Sequence, residues 1–267
     1  WAAPARRVAA RALREARPRA IVYATTTAAL LWPEPGAIRF DSPAAANRSG
    51  RHGIWQRPVE RRRFASAPLL LPTSAGALAE APAPHGPAIV VPIPVAPSGP
   101  AARSRDIAVI TYGANPRKKG LDRVVAAWRG ARREGETLVV AGVAGADEDG
   151  IRYTGMIPPA EYRALLRRAR VFVTAPRWED YGIAQLEALA DGCVLVTNEG
   201  PGPYAALPLA RELDPRLVGD GLAEALRIAL DDPVEGYAER ARVAVEPWSP
   251  AAVDRVVAER VLPALLG

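Results

Sequence analysis

Short apolar runs alternate along the chain with longer stretches in which apolar residues recur every three or four positions. The runs have the length of buried strands, and the spacing between them is typical of helices with one inward face. Strand followed by helix, repeated, predicts an α/β fold with parallel sheets. The strands are predicted at 20–24, 37–41, 69–74, 107–112, 137–142, 151–155, 171–175 and 194–197, and the helices at 5–16, 55–63, 77–81, 121–131, 161–169, 183–192, 222–231, 234–245 and 250–265.

Proline is dense between residues 81 and 105, which separates these elements into two blocks. Proline-rich chain is stiff and extended, so it suits a connection between domains. An edge strand followed by a surface loop is the alternative. The residues 41–50 are small and polar and are predicted as a loop. Because the chain starts at Trp1 and its first element is already a helix, we expect a fragment that lacks early strands and shows little or no activity by itself.

The stretch from residue 171 to residue 197 predicts one βαβ unit, with a loop at the carboxyl end of its first strand. Ligands of α/β proteins bind at such ends. Two carboxylates stand there, Glu179 in the loop and Glu187 about one turn into the helix. The backbone amides that open the helix suit a phosphate, and a carboxylate one turn later suits the paired hydroxyls of a ribose. A loop charge and a solvated helix residue are the alternative. The amides belong to Gly182, Ile183 and Ala184.

Residues 176–197, which read PRWEDYGIAQLEALADGCVLVT, resemble the signature of retaining glycosyltransferases of family 4. That signature has E-G-F-G, then a helix with a second Glu. Here Asp180 replaces the first Gly and Tyr181 the Phe. The resemblance runs from about Ile107 to the C-terminus. It implies that Glu179 acts in catalysis by contacting hydroxyls of the donor sugar, that Glu187 contacts the donor ribose, and that Tyr181 belongs to the donor site.

The resemblance implies an α/β fold of the GT-B type, with two Rossmann-like domains of which the N-terminal one is incomplete. Residues 1–95 would form part of the acceptor-side domain, and residues 96–248 the nucleotide-sugar-binding domain. Residues 249–267 would form a helix that crosses back to the first domain.

A second part of the resemblance lies in residues 113–120. The family has G-R-L-x-x-x-K-G, whose Arg and Lys neutralise the donor diphosphate. Gly113 and Lys119 match, and the final Gly matches too, but Ala114 stands where the Arg is expected. The resemblance therefore makes Lys119 a catalytic phosphate ligand, with Arg117 or Lys118 supplying the lost charge. A solvated basic turn is the alternative.

Further positions follow from the same resemblance. Met156 and Ile157 follow a strand that ends in Gly, where the family meets the nucleobase through its backbone. Gly200 and Gly202 loosely match an element near the sugar and phosphates, with an ordinary turn as the alternative. Asp41 ends the strand that faces the acceptor, although the His of the family's pattern is missing.

Composition narrows the classes of function. Hydrophobic residues make 49% of the 267 and charged residues 24%, as in ordinary soluble domains. The net charge is +6, and almost all of the basic residues are Arg. A high-GC genome explains this use of Arg. The functional alternative is that the positive charge attracts anionic substrates or an anionic membrane surface. Low aromatic content and the lack of a motif argue against nucleic acid. One Cys excludes an internal disulfide, and no apolar run approaches 18 residues, so we expect a cytoplasmic protein, at most at the inner face of the membrane.

These observations predict a metal-independent, retaining glycosyltransferase that uses a nucleotide-sugar donor and no cofactor. Its acceptor is a glycan, a lipid or a small molecule. Two alternatives stay open. One is a GT-B sugar-nucleotide epimerase, and the other is a non-catalytic binding partner with the same fold, which Ala114 favours.

Overall fold

A computed structural model describes residues 1–44, 50–100 and 104–267 of the chain. It divides into two compact units: unit 1 is Trp1–Ile93 with Pro250–Gly267, and unit 2 is Pro94–Ser249. The sequence-based boundaries lie at residues 95 and 248. Residues 45–49 of the predicted loop at 41–50, and residues 101–103 of the proline-rich stretch, lie outside the described residues.

Unit 1 contains a three-stranded parallel sheet in the order β1-β2-β3. Tyr23 pairs with Ile38, and Ile38 with Leu70. The first strand ends one residue earlier than predicted because Thr25 caps a helix directly after it, accepting from the Ala28 amide at 3.1 Å. The elements are α1 (Ala2–Ala16), β1 (Val22–Tyr23), α2 (Thr26–Ala29), β2 (Ala37–Phe40), a 3₁₀ turn (Arg51–Gly53), α3 (Gln56–Ser66), β3 (Leu70–Pro72) and α4 (Ala75–Ala79).

The two faces of this sheet are covered by different helices. On one face, Ala9 of α1, Ala29 of α2 and Phe64 of α3 pack in one core. On the other, the C-terminal helical segment contributes Val253 and Val261 to a second core. Successive strand residues point to opposite faces, so both cores use the same short strands.

The C-terminal segment differs from the single predicted helix. It runs through α12 (Pro250–Val256), a π turn (Val257–Val261) and α13 (Leu262–Leu266). Pro263 follows the π turn, and proline has no N–H for the carbonyl four residues earlier, so the regular ladder cannot continue there.

Unit 2 contains a five-stranded parallel sheet in the order β6-β5-β4-β7-β8. Four of its strands are almost entirely buried because helices cover both faces of such a sheet, whereas the edge strand β6 buries only Ile151. The chain runs outward from β4 through β5 to β6, then returns to β7 on the other side of β4. The order therefore reverses between β4 and β7, where open α/β sheets bind ligands. The strands are β4 (Ile107–Tyr112), β5 (Leu138–Ala141), β6 (Ile151–Gly155), β7 (Ala169–Thr174) and β8 (Val194–Thr197).

The parallel sheets confirm the predicted α/β class. Three helices were not predicted: α2 of unit 1, α5 within the first site loop and α9 after the glycine-rich turn. Within the described residues, no helix is long and apolar enough to cross a bilayer. The helices of unit 2 are α5 (Pro116–Lys119), α6 (Leu121–Ala131), α7 (Pro159–Arg168), α8 (Ile183–Ala190), α9 (Ala206–Leu213), α10 (Leu222–Asp231) and α11 (Tyr237–Ala244), with 3₁₀ turns at Pro215–Leu217 and Glu246–Trp248.

Candidate functional site

The two predicted site loops meet at the switch point, after β4 and after β7. The Arg177 amide donates to the Lys118 carbonyl at 2.9 Å. Gly120 has φ 65°, and a Cβ at this position would lie 1.9 Å from the carbonyl oxygen of Ala175. Only glycine permits both this backbone conformation and this approach. The Gly that closes the first loop is therefore what lets the two loops touch.

The Glu179 carboxylate is the centre of this junction. Lys119 Nζ lies 2.9 Å from Oε1 and 2.7 Å from Oε2. Gln185 Nε2 donates to Oε2 at 2.9 Å from the first turn of α8. The side chain of Glu179 is only 4% exposed, against 19% for that of Lys119. A buried carboxylate needs such donors, because removing it from water without them is costly.

The neighbouring residues form a second ion pair beside the first. Lys118 Nζ contacts Asp180 Oδ2, and Trp178 Nε1 donates to Asp180 Oδ1 at 2.8 Å. Two lysines thus face two carboxylates, and the four side chains carry no net formal charge. The ion-pair partner of Lys118 is thus Asp180, the residue that departs from the family signature.

Arg117 does not join this cluster. Its side chain is exposed and lines a separate depression with Asp122 and Arg177. Arg177 pairs with Asp122 at 2.8 and 2.7 Å, and also donates to the Arg117 carbonyl at 3.0 Å. This hydrogen-bonded pairing lowers the pKa of Asp122 to about 2. Half-buried Ala114 and buried Gly113 form the start of the loop.

A cavity of about 340 Å³ lies in unit 2 at the carboxyl ends of β4 and β5. Tyr112 and Tyr162 supply two aromatic rings, whose centroids are 5.4 Å apart. Largely apolar walls with a few polar groups suit a planar aromatic ligand. The cavity gathers five of the predicted donor-site residues, namely Met156, Ile157, Ile183, Ala184 and Glu187.

Glu187 is the acidic group of the cavity. Burial raises the pKa of its carboxyl, while Arg163, whose guanidinium nitrogen lies 3.3 Å from Oε1, opposes the rise. Arg163 also lies 3.3 Å from Oδ2 of the buried Asp191. The nearby Tyr162 hydroxyl is buried and has no hydrogen-bond partner among the described residues, and burial raises its pKa well above the usual value. The Glu187 carboxylate keeps acceptor capacity for ligand hydroxyls.

The start of α8 opens beside the same cavity. Gly182 is the N-cap, and no side chain of the described residues caps the helix there. The Tyr204 ring fills the space next to it: a Cβ on Gly182 would lie 2.7 Å from that ring. The first amides of α8 therefore have no side-chain acceptor, and such amides bind anions.

Three of the predicted donor residues shape the second loop and do not line the cavity. Tyr181 is buried, and its hydroxyl accepts from Trp248 Nε1 at 3.0 Å. Gly200 packs against the Pro176 carbonyl, and Gly202 against the Glu179 carbonyl. These contacts hold the segment that carries Glu179.

Asp41, the predicted acceptor-side residue, lies in unit 1. It lines a cavity of about 920 Å³ together with Arg39 and Phe40. Its Oδ1 accepts from the Ser42 amide at 2.9 Å, so one carboxylate oxygen is engaged locally.

Sequence reasoning missed Gln185, Arg163 and Tyr162. An amide at the third position of a helix, and a basic residue in an arginine-rich helix, usually face solvent. The signal that was present is the apolar context of Gln185, which stands between Ala184 and Leu186 in a helix whose other residues are nearly all apolar.

Residues 106–235 match the family model described as glycosyl transferases group 1. Glycogen synthase from two strains of Mycobacterium tuberculosis is 34% identical over 145 residues, which is 48% of this chain and 34% of that protein. The chain thus spans about a third of the length of the curated relatives it matches.

Solved structures are similar over nearly the whole chain. Sucrose-phosphate synthase from Thermosynechococcus elongatus has a TM-score of 0.72 at 16% identity, covering 95% of this chain and 75% of its own. A UDP-forming trehalose-phosphate synthase from Burkholderia xenovorans, in complex with glucose-6-phosphate, has a TM-score of 0.69 at 18% identity, covering 98% and 78%. WaaG, a glycosyltransferase involved in lipopolysaccharide biosynthesis, has a TM-score of 0.68 at 16% identity, covering 92% and 80%. These likenesses confirm the predicted GT-B fold.

Proposed function

We propose that the protein transfers a sugar from a nucleotide-sugar donor to an acceptor, because residues 106–235 match the family model described as glycosyl transferases group 1. The observation that carries this proposal is the cavity at the switch point of unit 2, with Glu187 on its wall and the Glu179–Lys119 pair in the adjoining loops. The names of the similar proteins support donor chemistry of this kind, since one is a UDP-forming synthase and another a glycosyltransferase.

In the proposed complex the nucleotide occupies the 340 Å³ cavity. Its base lies against the wall that includes Met156 and Ile157, and its ribose hydroxyls donate to Glu187. When Glu187 turns from Arg163 to the ribose, Arg163 still pairs with Asp191. The buried guanidinium therefore keeps a carboxylate partner.

The diphosphate is proposed to lie between the start of α8 and Lys119. Lys119 would exchange its contact with Glu179 for a phosphate oxygen, and Glu179 would accept hydroxyls of the donor sugar while Gln185 holds it. Charge grows on the diphosphate as it leaves. A preorganised cation and helix amides stabilise that charge more in the transition state than in the ground state.

We further propose that configuration is retained and that no metal or cofactor takes part. The bond from the anomeric carbon to the phosphate oxygen breaks, and its electron pair stays on the phosphate. The acceptor oxygen bonds to the same face of the anomeric carbon, and its proton passes to the departing phosphate oxygen. Lys119 and the α8 amides supply the positive charge for this route, in a cytoplasmic enzyme whose acceptor is a glycan, a lipid or a small molecule.

Calorimetry with a panel of nucleoside diphosphates and their sugar conjugates tests donor binding. Glu187→Gln should weaken nucleotide binding by about 1–3 kcal/mol through lost charged hydrogen bonds. The exposed Glu235→Gln is the matched control and should bind as the wild type does. If no nucleotide of the panel binds, or if both variants bind alike, the donor site is misplaced.

A second candidate function is binding without turnover. Two observations favour it. Ala114 replaces an expected Arg, which reduces the positive charge near the expected diphosphate, and the two lysines there already form ion pairs with carboxylates. Donor hydrolysis and sugar transfer, measured with the same chain, separate the two candidates. Binding with neither reaction supports the second candidate, and release of an epimerised nucleotide sugar would indicate an epimerase.

A further inference from the structure

The charges of the protein are divided unequally between the two units. Unit 1 contains 15 of the 35 basic residues and 7 of the 29 acidic residues, a formal charge of +8. Unit 2 contains 20 basic and 22 acidic residues, a formal charge of −2. A biased genome explains why the basic residues are Arg, but it does not explain why their surplus lies in one unit.

The pairing of these charges differs even more. Unit 2 has fifteen ion pairs among its described residues, whereas the described part of unit 1 has one, between Arg11 and Glu15 of α1. The arginines of unit 2 are therefore largely neutralised within the fold. Those of unit 1 present their charge to the surroundings.

Two arginines of unit 1 are used inside its helical layer and fix its geometry. Arg6 of α1 donates to the carbonyls of Leu31 and Trp32 at 3.0 and 3.1 Å. Arg63 of α3 donates to the Leu30 carbonyl at 3.0 Å and lies 4.8 Å from the centroid of the Trp32 ring. α1 and α3 thus flank the same short segment on one side of the sheet, and their remaining arginines lie on that side.

The exposed arginines of α3 stand beside exposed apolar side chains. Ile54 is 62% exposed and Trp55 47%. Both have helical dihedral angles and directly precede α3. Residues seven positions apart in a helix share a face, so Arg61 and Arg62 lie on the same side as Ile54 and Trp55. We name these four residues the basic–apolar face.

We propose that the basic–apolar face binds the surface of a membrane that contains anionic lipids. Arginine attracts anionic headgroups, and each basic residue near the surface contributes separately. Tryptophan and isoleucine insert at the boundary between headgroups and acyl chains. The phosphates of a nucleic acid duplex offer no such apolar layer for these two side chains. α1 adds exposed arginines, such as Arg7 and Arg14, on the same side of the sheet. This proposal is independent of the proposed enzymatic function.

Co-sedimentation with lipid vesicles tests the proposal. The whole chain should sediment with vesicles of phosphatidylcholine and phosphatidylglycerol in equal parts and not with pure phosphatidylcholine. Added salt should weaken the binding, since exposed charges are screened. Arg61→Ala/Arg62→Ala should lower the partition coefficient by about tenfold or more, at about 1 kcal/mol for each arginine. The matched control, Arg123→Ala/Arg152→Ala in unit 2, removes the same charge from exposed positions and should change nothing.

A second variant separates a membrane from other polyanions. Ile54→Ser/Trp55→Ser keeps every charge, and we expect it to lose vesicle binding while far-ultraviolet circular dichroism stays that of the wild type. Equal binding to both kinds of vesicle, no binding at all, or an equal loss in the unit 2 control would overturn the proposal. So would a serine variant that keeps its vesicle binding, or a wild type that prefers a duplex DNA oligonucleotide to the anionic vesicles.

Discussion

The ion pair between Lys119 and Glu179 makes a measurable contribution to folding, whatever the protein binds. We predict that Lys119→Met lowers the free energy of unfolding by about 2–3 kcal/mol. Hydrogen bonds to charged groups contribute about 1.5–3 kcal/mol, and breaking a fully buried pair costs about 3–5 kcal/mol. Because Lys119 is 19% exposed, water can reach the carboxylate that it leaves, and the loss should stay near the lower of these ranges.

Chemical denaturation of four proteins measures this contribution. Lys118→Met is the control, since its pair with Asp180 is more exposed and should contribute less than about 1 kcal/mol. The double variant Lys119→Met/Glu179→Gln removes both charges, so it should recover about 1–2 kcal/mol of the loss. A Lys119→Met variant within about 0.5 kcal/mol of the wild type would refute this reasoning, as would equal losses for the two lysines.

Three other outcomes are expected. Gln185→Leu removes the amide that donates to Glu179, so a nucleotide sugar should bind about tenfold more weakly while the nucleoside diphosphate binds unchanged; calorimetry with both ligands decides, and equal losses contradict it. Burial raises the pKa of Glu187, so the stability linked to its protonated form is present below the usual value of 4.5 and is lost as pH rises through the raised value. Glu187→Gln should therefore gain stability relative to the wild type as pH rises above 4.5, and a constant difference in unfolding free energy argues against this. Ala114→Arg should fold and tighten nucleoside diphosphate binding by about 1–3 kcal/mol; a folded variant that binds no better would mean that the loop holds the phosphates differently.

Much of the fold could be predicted because its elements follow from local patterns. The strand at Ile107–Tyr112 and the helix at Leu121–Ala131 match the prediction to the residue. The helix Ala206–Leu213 was missed because Pro208 stands within it. Proline is tolerated in the first turn of a helix, where its missing N–H is not needed, and the sequence alone does not show where the helix begins.

The site was predictable to a similar degree. Glu187, Ile183 and Ala184 line one cavity because their spacing places them on the first turns of a helix after a strand. The side of a short loop that a charge faces depends on tertiary contacts, which is why Arg117 lies away from the lysine pairs. The roles of the individual residues in binding a donor stay predictions.

The pairing of lysines with carboxylates in unit 2 also determines how salt acts on this protein. If a diphosphate takes Lys119 from Glu179, one ion pair replaces another, and dissolved ions screen the broken contact as well as the new one. Donor affinity should then vary little with ionic strength. Among the described residues of unit 1, Arg11 alone pairs with a described carboxylate, so the contacts that the other described arginines form with an anion replace no such pair and weaken when salt is added. A salt-insensitive and a salt-sensitive kind of binding would therefore coexist in one chain, and a simple titration with sodium chloride can separate them.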